Sequence, residues 1–544
     1  MKKLISILLC IAMLSSLLCA CGSSASSSDE TAAAAESQSQ AVQSEGSKGE
    51  GGRTKVTVGV NGTAESVSPF ITTTNVLKML TNIVYMQLGS INEEGGVDSN
   101  MFSSFEETGD MHYTVELYDN IFDNAGNHIT AADVAYSYNT AKAAGTGQVY
   151  TYYDNAQATG EYTFEFDMVT DAVFALQQVM SGVNIVSQAA YEADSSEMSM
   201  SPITCAPYVV REFVPGSYII MEKNEKFWCE DPSILARDKQ ANVDVIEIKF
   251  ITETAQLSMA LEQNTIDVAV DVNATVAADF DASDVYTVEY KPSNMFYNLY
   301  FDVREGHVFE NETLRKAVLY AIDQESVMYG ALQGAGWVNK AIASVYSADY
   351  DPAWDEADYY DQDIGKAKEL LAEAGYGEGE LTVSIMCQYE TCKPAAEVVQ
   401  ANLAQIGINA TILVADTALF SSYQDCISDV WDINIMFWAA KSIGAASLNA
   451  QFNAAVRENG MTFSGIKDAE FQALIEAAIS EKTYSQETYN AVQDYIKDKA
   501  YAYGLYTGQV GYVYTNQIEE IYIDGNGRFL PNACIYADSY SIYE

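Results

Sequence analysis

The chain has 544 residues, with 28 Lys and Arg against 76 Asp and Glu, a formal charge of −48. A surface this acidic repels phosphate backbones and anionic headgroups, which excludes nucleic acid as a partner. The length allows more than one hydrophobic core, since single cores stop growing near ~250–300 residues.

Lys2 and Lys3 precede an apolar run from Leu4 to Leu18, which closes on Leu18-Cys19-Ala20-Cys21-Gly22. This is the pattern of a signal peptide, and its ending resembles a lipoprotein signal. Cleavage after Ala20 then leaves Cys21 as the first mature residue, with lipid on its thiol. Residues 1–20 are therefore read as signal, and their removal leaves 26 bases against 76 acids, a net −50. Residues 21–54 are rich in Ser, Ala, Gln, Glu and Gly and hold no aromatic residue. Such a segment buries too little apolar surface to offset its ordering entropy, so it is expected to be a flexible stalk. No later run is long enough to span a bilayer. The expected location is the outer face of the cytoplasmic membrane or the periplasm, on a lipid anchor.

Thr54 to Val60 alternates and is β-branched, a first strand entering a core. Asn61 to Pro69 reads as a loop, and Leu77, Leu80, Ile83 and Val84 give a helical stripe. His112 to Leu117 is a strand, followed by a turn over Asp123 to Asn127. Thr130-Ala-Ala-Asp133 has the form of a capping box and predicts a helix from Ala131 to about Ala141. Val243 to Phe250 is a strand and Gln256 to Gln263 a short helix. Leu314, Val318, Ala321 and Ile322 line one face of another helix. Ala367 to Ala374 is a helix stopped by Gly375. Leu381 to Met386 is a strand, Pro394 to Gly407 a helix, and Ile408 to Val414 a strand. Strand, helix and strand at this spacing make a βαβ unit, so the fold class is α/β with some parallel sheet.

Six cysteines remain after the signal and the lipidated Cys21: Cys205, Cys229, Cys387, Cys392, Cys426 and Cys534. Export permits disulfides, and an even set leaves their connectivity open between structural bridges and buried free thiols. No Cys-x-x-Cys occurs and there are only 3 histidines, so no metal centre or other cofactor is expected.

Arg315-Lys-Ala-Val-Leu-Tyr-Ala-Ile-Asp323 resembles a helix motif of the large extracellular solute-binding proteins of family 5. These bind oligopeptides, dipeptides, nickel complexes or oligosaccharides. Further blocks agree in order: Phe122-Asp123 with Thr130 to Val134, Thr204 to Tyr208, Gln263 to Asp267, Asp363 to Tyr376, and Gln405 to Asn409. The resemblance implies a periplasmic-binding-protein-like fold, two α/β lobes with an inserted domain, mixed sheets, and a hinge that closes over a ligand. Lobe I is then expected from 55–88, 186–290 and 506–544, the inserted domain from 89–185, and lobe II from 291–505.

The family's peptide binders carry Trp-x-Ala-Asp at a strand end, the aspartate meeting the ligand's amino group. Here Trp438-Ala-Ala-Lys441 stands in that place, so a cation replaces the acid. A cation there favours an anion or a neutral polar group over an ammonium. Trp438 either stacks on a ligand or packs the wall, and Lys441 either faces the cleft or water. Asn294, Tyr297 and Asn298 lie where the family crosses between lobes and suit a sugar or a peptide, or else strand packing. Ser68 falls in the loop that edges the family's cleft.

No nucleophile elbow, zinc-protease motif, phosphate-cradling loop or internal repeat occurs. The expected function is therefore capture, not catalysis. A lipid-anchored monomer binds a peptide-like or oligosaccharide-like solute and delivers it to the permease of an ABC importer. A ligand-sensing lipoprotein and, further off, a secreted hydrolase are the alternatives.

Overall fold

The computed structural model describes residues 54–540 except 72–73, 93–94, 146–147, 358, 424–428, 458–459 and 538–539. Residues 1–53, which hold the expected signal and nearly all of the expected stalk with Cys21, and Cys426 lie outside the described residues.

One mixed sheet runs through the described chain. Its strands lie in the order Asn409–Ala415, Thr382–Gln388, Ile433–Ala439, Tyr286–Phe301, Ala502–Thr515, Val268–Asn273, Lys55–Val60, Val245–Phe250, Tyr218–Lys223 and Tyr208–Val214. Gly336–Val338 adds to the outside of Ala502–Thr515. Lys55–Val60 is parallel to both neighbours, and its Val56, Val58 and Val60 are buried, as a strand covered on both faces requires. Thr382–Gln388 is likewise parallel to both of its neighbours. These two parallel groups belong to separate cores. One is built around Val56, Val58, Ile246 and Ile248, the other around Val383, Ile385, Ile433 and Ile435.

The long strands Tyr286–Phe301 and Ala502–Thr515 join the two groups. They pair antiparallel from Tyr286 to Pro292, lose register, and pair again from Phe296 to Tyr300. The break leaves Ser293, Asn294 and Met295 unpaired with the neighbouring long strand, between the two cores. A second, four-stranded sheet (Phe102–Gly109, His112–Leu117, Thr163–Met168, Tyr153–Ala158) shares its core with the first group through Val115, Phe164 and Phe166.

The local expectations hold where chemistry was explicit. The capping box forms, with Thr130 N donating to Asp133 Oδ2 at 2.9 Å, and the helix Ala131–Ala144 ends on left-handed Gly145. Gly375 adopts φ +94° after the helix Ile364–Glu373. The strand expected from Val243 begins at Val245. The helix expected from Pro394 begins at Tyr389, because the buried Cys392, Ala395 and Ala396 anchor an apolar face that starts before the proline. Pro394 sits in its second turn and leaves the Glu390 carbonyl without a helical partner.

Candidate functional site

A cavity of about 400 Å³ opens beside the register break. Four pieces of chain build its walls.

The first is the helix Asn75–Val84, whose N-terminus is capped by Thr74 Oγ1 accepting from Leu77 N at 3.2 Å. Burying Leu77, Leu80, Ile83 and Val84 turns the opposite stripe, Asn75, Lys78, Thr81 and Asn82, towards the cavity. Beneath it, buried Lys239 Nζ donates to Asn82 O at 2.5 Å and to Tyr85 O at 3.3 Å, while Asn82 Nδ2 donates to Asp238 Oδ2 at 3.1 Å. Burial lowers the Lys239 ammonium to about 8 in spite of Asp238.

Gln87 and Asn184 form the second wall, with Gln87 Nε2 donating to Asn184 Oδ1 at 2.6 Å. Asn184 Nδ2 in turn donates to Pro69 O at 2.8 Å, which ties the Ser66–Pro69 loop to this wall.

The third wall continues from the strand Ile433–Ala439 into Ala440, Lys441 and Ser442. Ala440 N donates to Asn294 O at 2.6 Å, so the unpaired residue of the register break is bonded directly to this wall. Ser347 Oγ donates to Lys441 O at 2.8 Å and Ala348 N to Ser442 O at 2.8 Å. Asp349 then caps the next helix, Gly444–Phe452, accepting from Gly444 N at 2.6 Å and Ala445 N at 3.2 Å. The backbone under Lys441 is thus fixed on both sides.

The fourth is the turn Asp524–Arg528. Asp524 Oδ1 accepts from Asn526 N and Arg528 N, and its Oδ2 accepts from Arg528 Nε at 2.7 Å. Gly527 has φ +73°, and a Cβ there would lie 2.8 Å from Asn294 Cβ, so both conformation and space require glycine.

Among the described residues the cavity wall carries Lys78, Lys441 and Arg528 and no acidic side chain. Loss of solvent lowers the pKa of Lys78, and the charges of Lys441 and Arg528 lower it further. Burial alone lowers Lys441. For Arg528 burial works against the charge, but the Asp524 pair prevails and its pKa is raised.

Of the residues singled out in the sequence, Asn294 and Lys441 meet in this cavity. Trp438 pairs with Phe296 across the sheet and packs on Phe463 at 6.1 Å, without lining the cavity. Asn298 is fully buried and donates to Tyr300 Oη at 2.9 Å, which donates to Gln451 Oε1 at 2.6 Å. Tyr297 stacks on Tyr506 at 4.5 Å and lines a separate cavity of about 320 Å³ with Asp271 and Gln509. Ser68 is buried, and only the carbonyl of its neighbour Pro69 reaches the cavity wall. Sequence reasoning missed Lys78 and Arg528. The available signals were a lone cation on a helix whose other face is apolar, and an Asp-Gly-Asn-Gly-Arg turn.

Among the described residues the cysteines Cys205, Cys229, Cys387, Cys392 and Cys534 are free and buried. Of the alternatives the sequence left open, they take the thiol form.

Residues 97–458 match the model of the bacterial extracellular solute-binding proteins, family 5 Middle. The chain belongs to this family. It is similar to the oligopeptide-binding protein AppA of Bacillus subtilis, 23% identical over 86% of this chain and 89% of that protein. It is also 23% identical to the glutathione-binding protein GsiB of Escherichia coli, over 66% of this chain and 70% of that one. Among solved structures it superposes on a putative peptide-binding protein AppA from Clostridium difficile with TM-score 0.75, at 19% identity over 89% of this chain and all of that one. This last likeness carries the fold, the two-lobed binding-protein architecture. Family 5 proteins are extracellular solute-binding proteins and not enzymes.

Proposed function

We propose that this family 5 protein captures a small polar solute in the cavity at the register break and delivers it to the permease of an ABC importer. The reading is supported by the position of the cavity, beside the register break in the two long strands that join the two parallel groups. Loss of pairing over Ser293–Met295 makes that crossing the natural hinge, and a ligand touching both sides stabilises the closed form by its differential affinity. In this reading 55–88, 186–290 and 506–544 form lobe I, 89–185 the inserted domain and 291–505 lobe II, the protein acts as a monomer, and Cys21 holds it to the membrane. The named relatives favour a peptide-sized solute, and the cavity volume suits a ligand of two or three residues better than a long peptide.

Small-angle scattering with mass spectrometry of solutes released on denaturation tests capture. An unmodified solute that shrinks the radius of gyration when added back is expected, and steady conversion of it would overturn the reading. Cys21→Ala is expected to move the protein from the detergent phase to the aqueous phase, and unchanged partition would rule out the anchor.

A further inference from the structure

We infer that the cleft selects a small polar acid bearing two negative charges and no free ammonium, its anionic groups held by Lys78 and Lys441. The inference rests on the solute-binding reading and names the ligand class for the same cavity.

In a chain with 76 acids and 28 bases, many cations find a carboxylate. Lys55 pairs with Glu247, Lys316 with Glu312, and Arg528 with Asp524. Lys78 and Lys441 do not. Among the described residues neither ammonium has an acid within ion-pair distance or an acceptor within hydrogen-bond distance. Both nevertheless line one cavity, one from the helix Asn75–Val84 and the other from the segment that follows the strand Ile433–Ala439, and share it with a third cation. Lys78 stands exposed at the opening, while Lys441 is half-buried on backbone fixed by Asn294, Ser347 and Ala348. Loss of solvent is the main cause of the lowered pKa of Lys78, and the nearby charges of Lys441 and Arg528 add to it.

Arg528 is already neutralised by Asp524, as Lys239 is accompanied by Asp238, so the uncompensated charge facing the cavity is that of the two lysines. Two anionic groups on a ligand match it with charge-assisted hydrogen bonds, one on each side of the hinge. Asn75, Asn294 and Asn526 add amide donors and acceptors from three walls, which suits a ligand carrying hydroxyl or amide groups between its charges. Among the described residues lining the cavity a free ammonium finds no acid and meets the two lysines.

Calorimetric titration of the full chain, freed of co-purified solute by unfolding and refolding, decides the matter with three matched probes. These are N-acetyl-Ala-Glu, its form with both carboxyls converted to amides, and Ala-Gln amide with a free amino terminus. N-acetyl-Ala-Glu is expected to bind at least tenfold tighter than the other two. Lys441→Gln and Lys78→Gln should each weaken it at least fivefold and reduce its dependence on salt, with unchanged melting of the free protein. Lys441→Glu should shift preference towards the free amino terminus. If that variant does not fold, the two Gln variants decide.

Equal or tighter binding of a neutral or ammonium probe overturns the anion assignment and leaves solute capture standing. Recovery of a neutral or cationic solute from the purified protein does the same. Failure of all three probes, with no solute released from the native protein, counts against both.

Discussion

Ser480 Oγ donates to Asp171 Oδ2 at 2.6 Å, joining the four-stranded-sheet body to the end of the helix Ala469–Ile479. Backbone bonds flank the pair, Val173 N to Ile479 O and Glu481 N to Asp171 O, both at 2.7 Å. The contact links the core that holds Ala172 and Phe174 to a third core that holds Ile475 and Ala478. Under the proposed hinge motion this contact would act as a clasp on the closed form.

Removing the side-chain part of that clasp should favour opening. A hydrogen bond to a charged group contributes about 1.5–3 kcal/mol, less where solvent reaches it as here. Asp171→Ala should therefore enlarge the radius of gyration of the ligand-free protein and weaken solute binding several-fold, with melting changed little. Scattering curves identical to those of the parent would remove the clasp from the mechanism.

Two glycines on one crossing strand should behave oppositely. A Cβ at Gly504 would lie 2.2 Å from Asn339 O, a backbone atom that cannot swing away, whereas at Gly508 the nearest atom is 3.7 Å off. Gly504→Ala is expected to cost about 3 kcal/mol or more, in the range of severe core overpacking. Gly508→Ala should fold normally and, lying beside the break, slow or narrow closure by restricting the backbone. Thermal melting of the two variants checks the first claim and scattering with ligand the second.

What could be read in the sequence, and what could not, follows from the range of the forces involved. The helix Asn75–Val84 and the capping box at Thr130 are local devices, so short patterns specify them. Lys441 was visible because it interrupts a motif at a strand end. Lys78 and Arg528 were not, since each alone reads as a solvated cation and only the tertiary fold sets them in one cavity with Lys441. Asn298 and Ser68 looked like ligand groups because their chemistry suits a ligand. Burial against Tyr300 in one case and beneath the Pro69 loop in the other is a property of packing, which no local pattern states. The joining of two parallel groups through two long strands was equally hidden, because pairing between distant segments leaves no periodic trace.

The buried thiols make a pH prediction. Burial raises Cys205 from 9.0 to about 12, so the folded state holds a proton that the unfolded state has lost above pH 9. Stability from this group is complete below pH 9 and declines as pH rises towards 12. Cys205→Ala should melt lower than the parent at pH 8 because of its cavity, but lose less melting temperature between pH 9 and 11. Parallel slopes for the two proteins would contradict the assignment. In the native state the thiol should also resist a thiol reagent until denaturant is added.

The cleft lysines titrate in the other sense. Their pKa values in the free protein lie below the ordinary 10.5, and a bound anion favours the charged forms, so binding should draw protons onto Lys78 and Lys441. Affinity for an anionic probe is then full at neutral pH and falls as pH rises through the lowered lysine values, beginning before 10.5. For folding the sign is reversed: the unfolded chain keeps these protons longer than the native one, so the same two groups raise stability as pH climbs through that window. Titrations of N-acetyl-Ala-Glu near pH 9 in buffers of different ionisation enthalpy should show net proton uptake, reduced in Lys441→Gln. Proton release on binding, or affinity that rises with pH, would mean that the lysines do not face the bound anion.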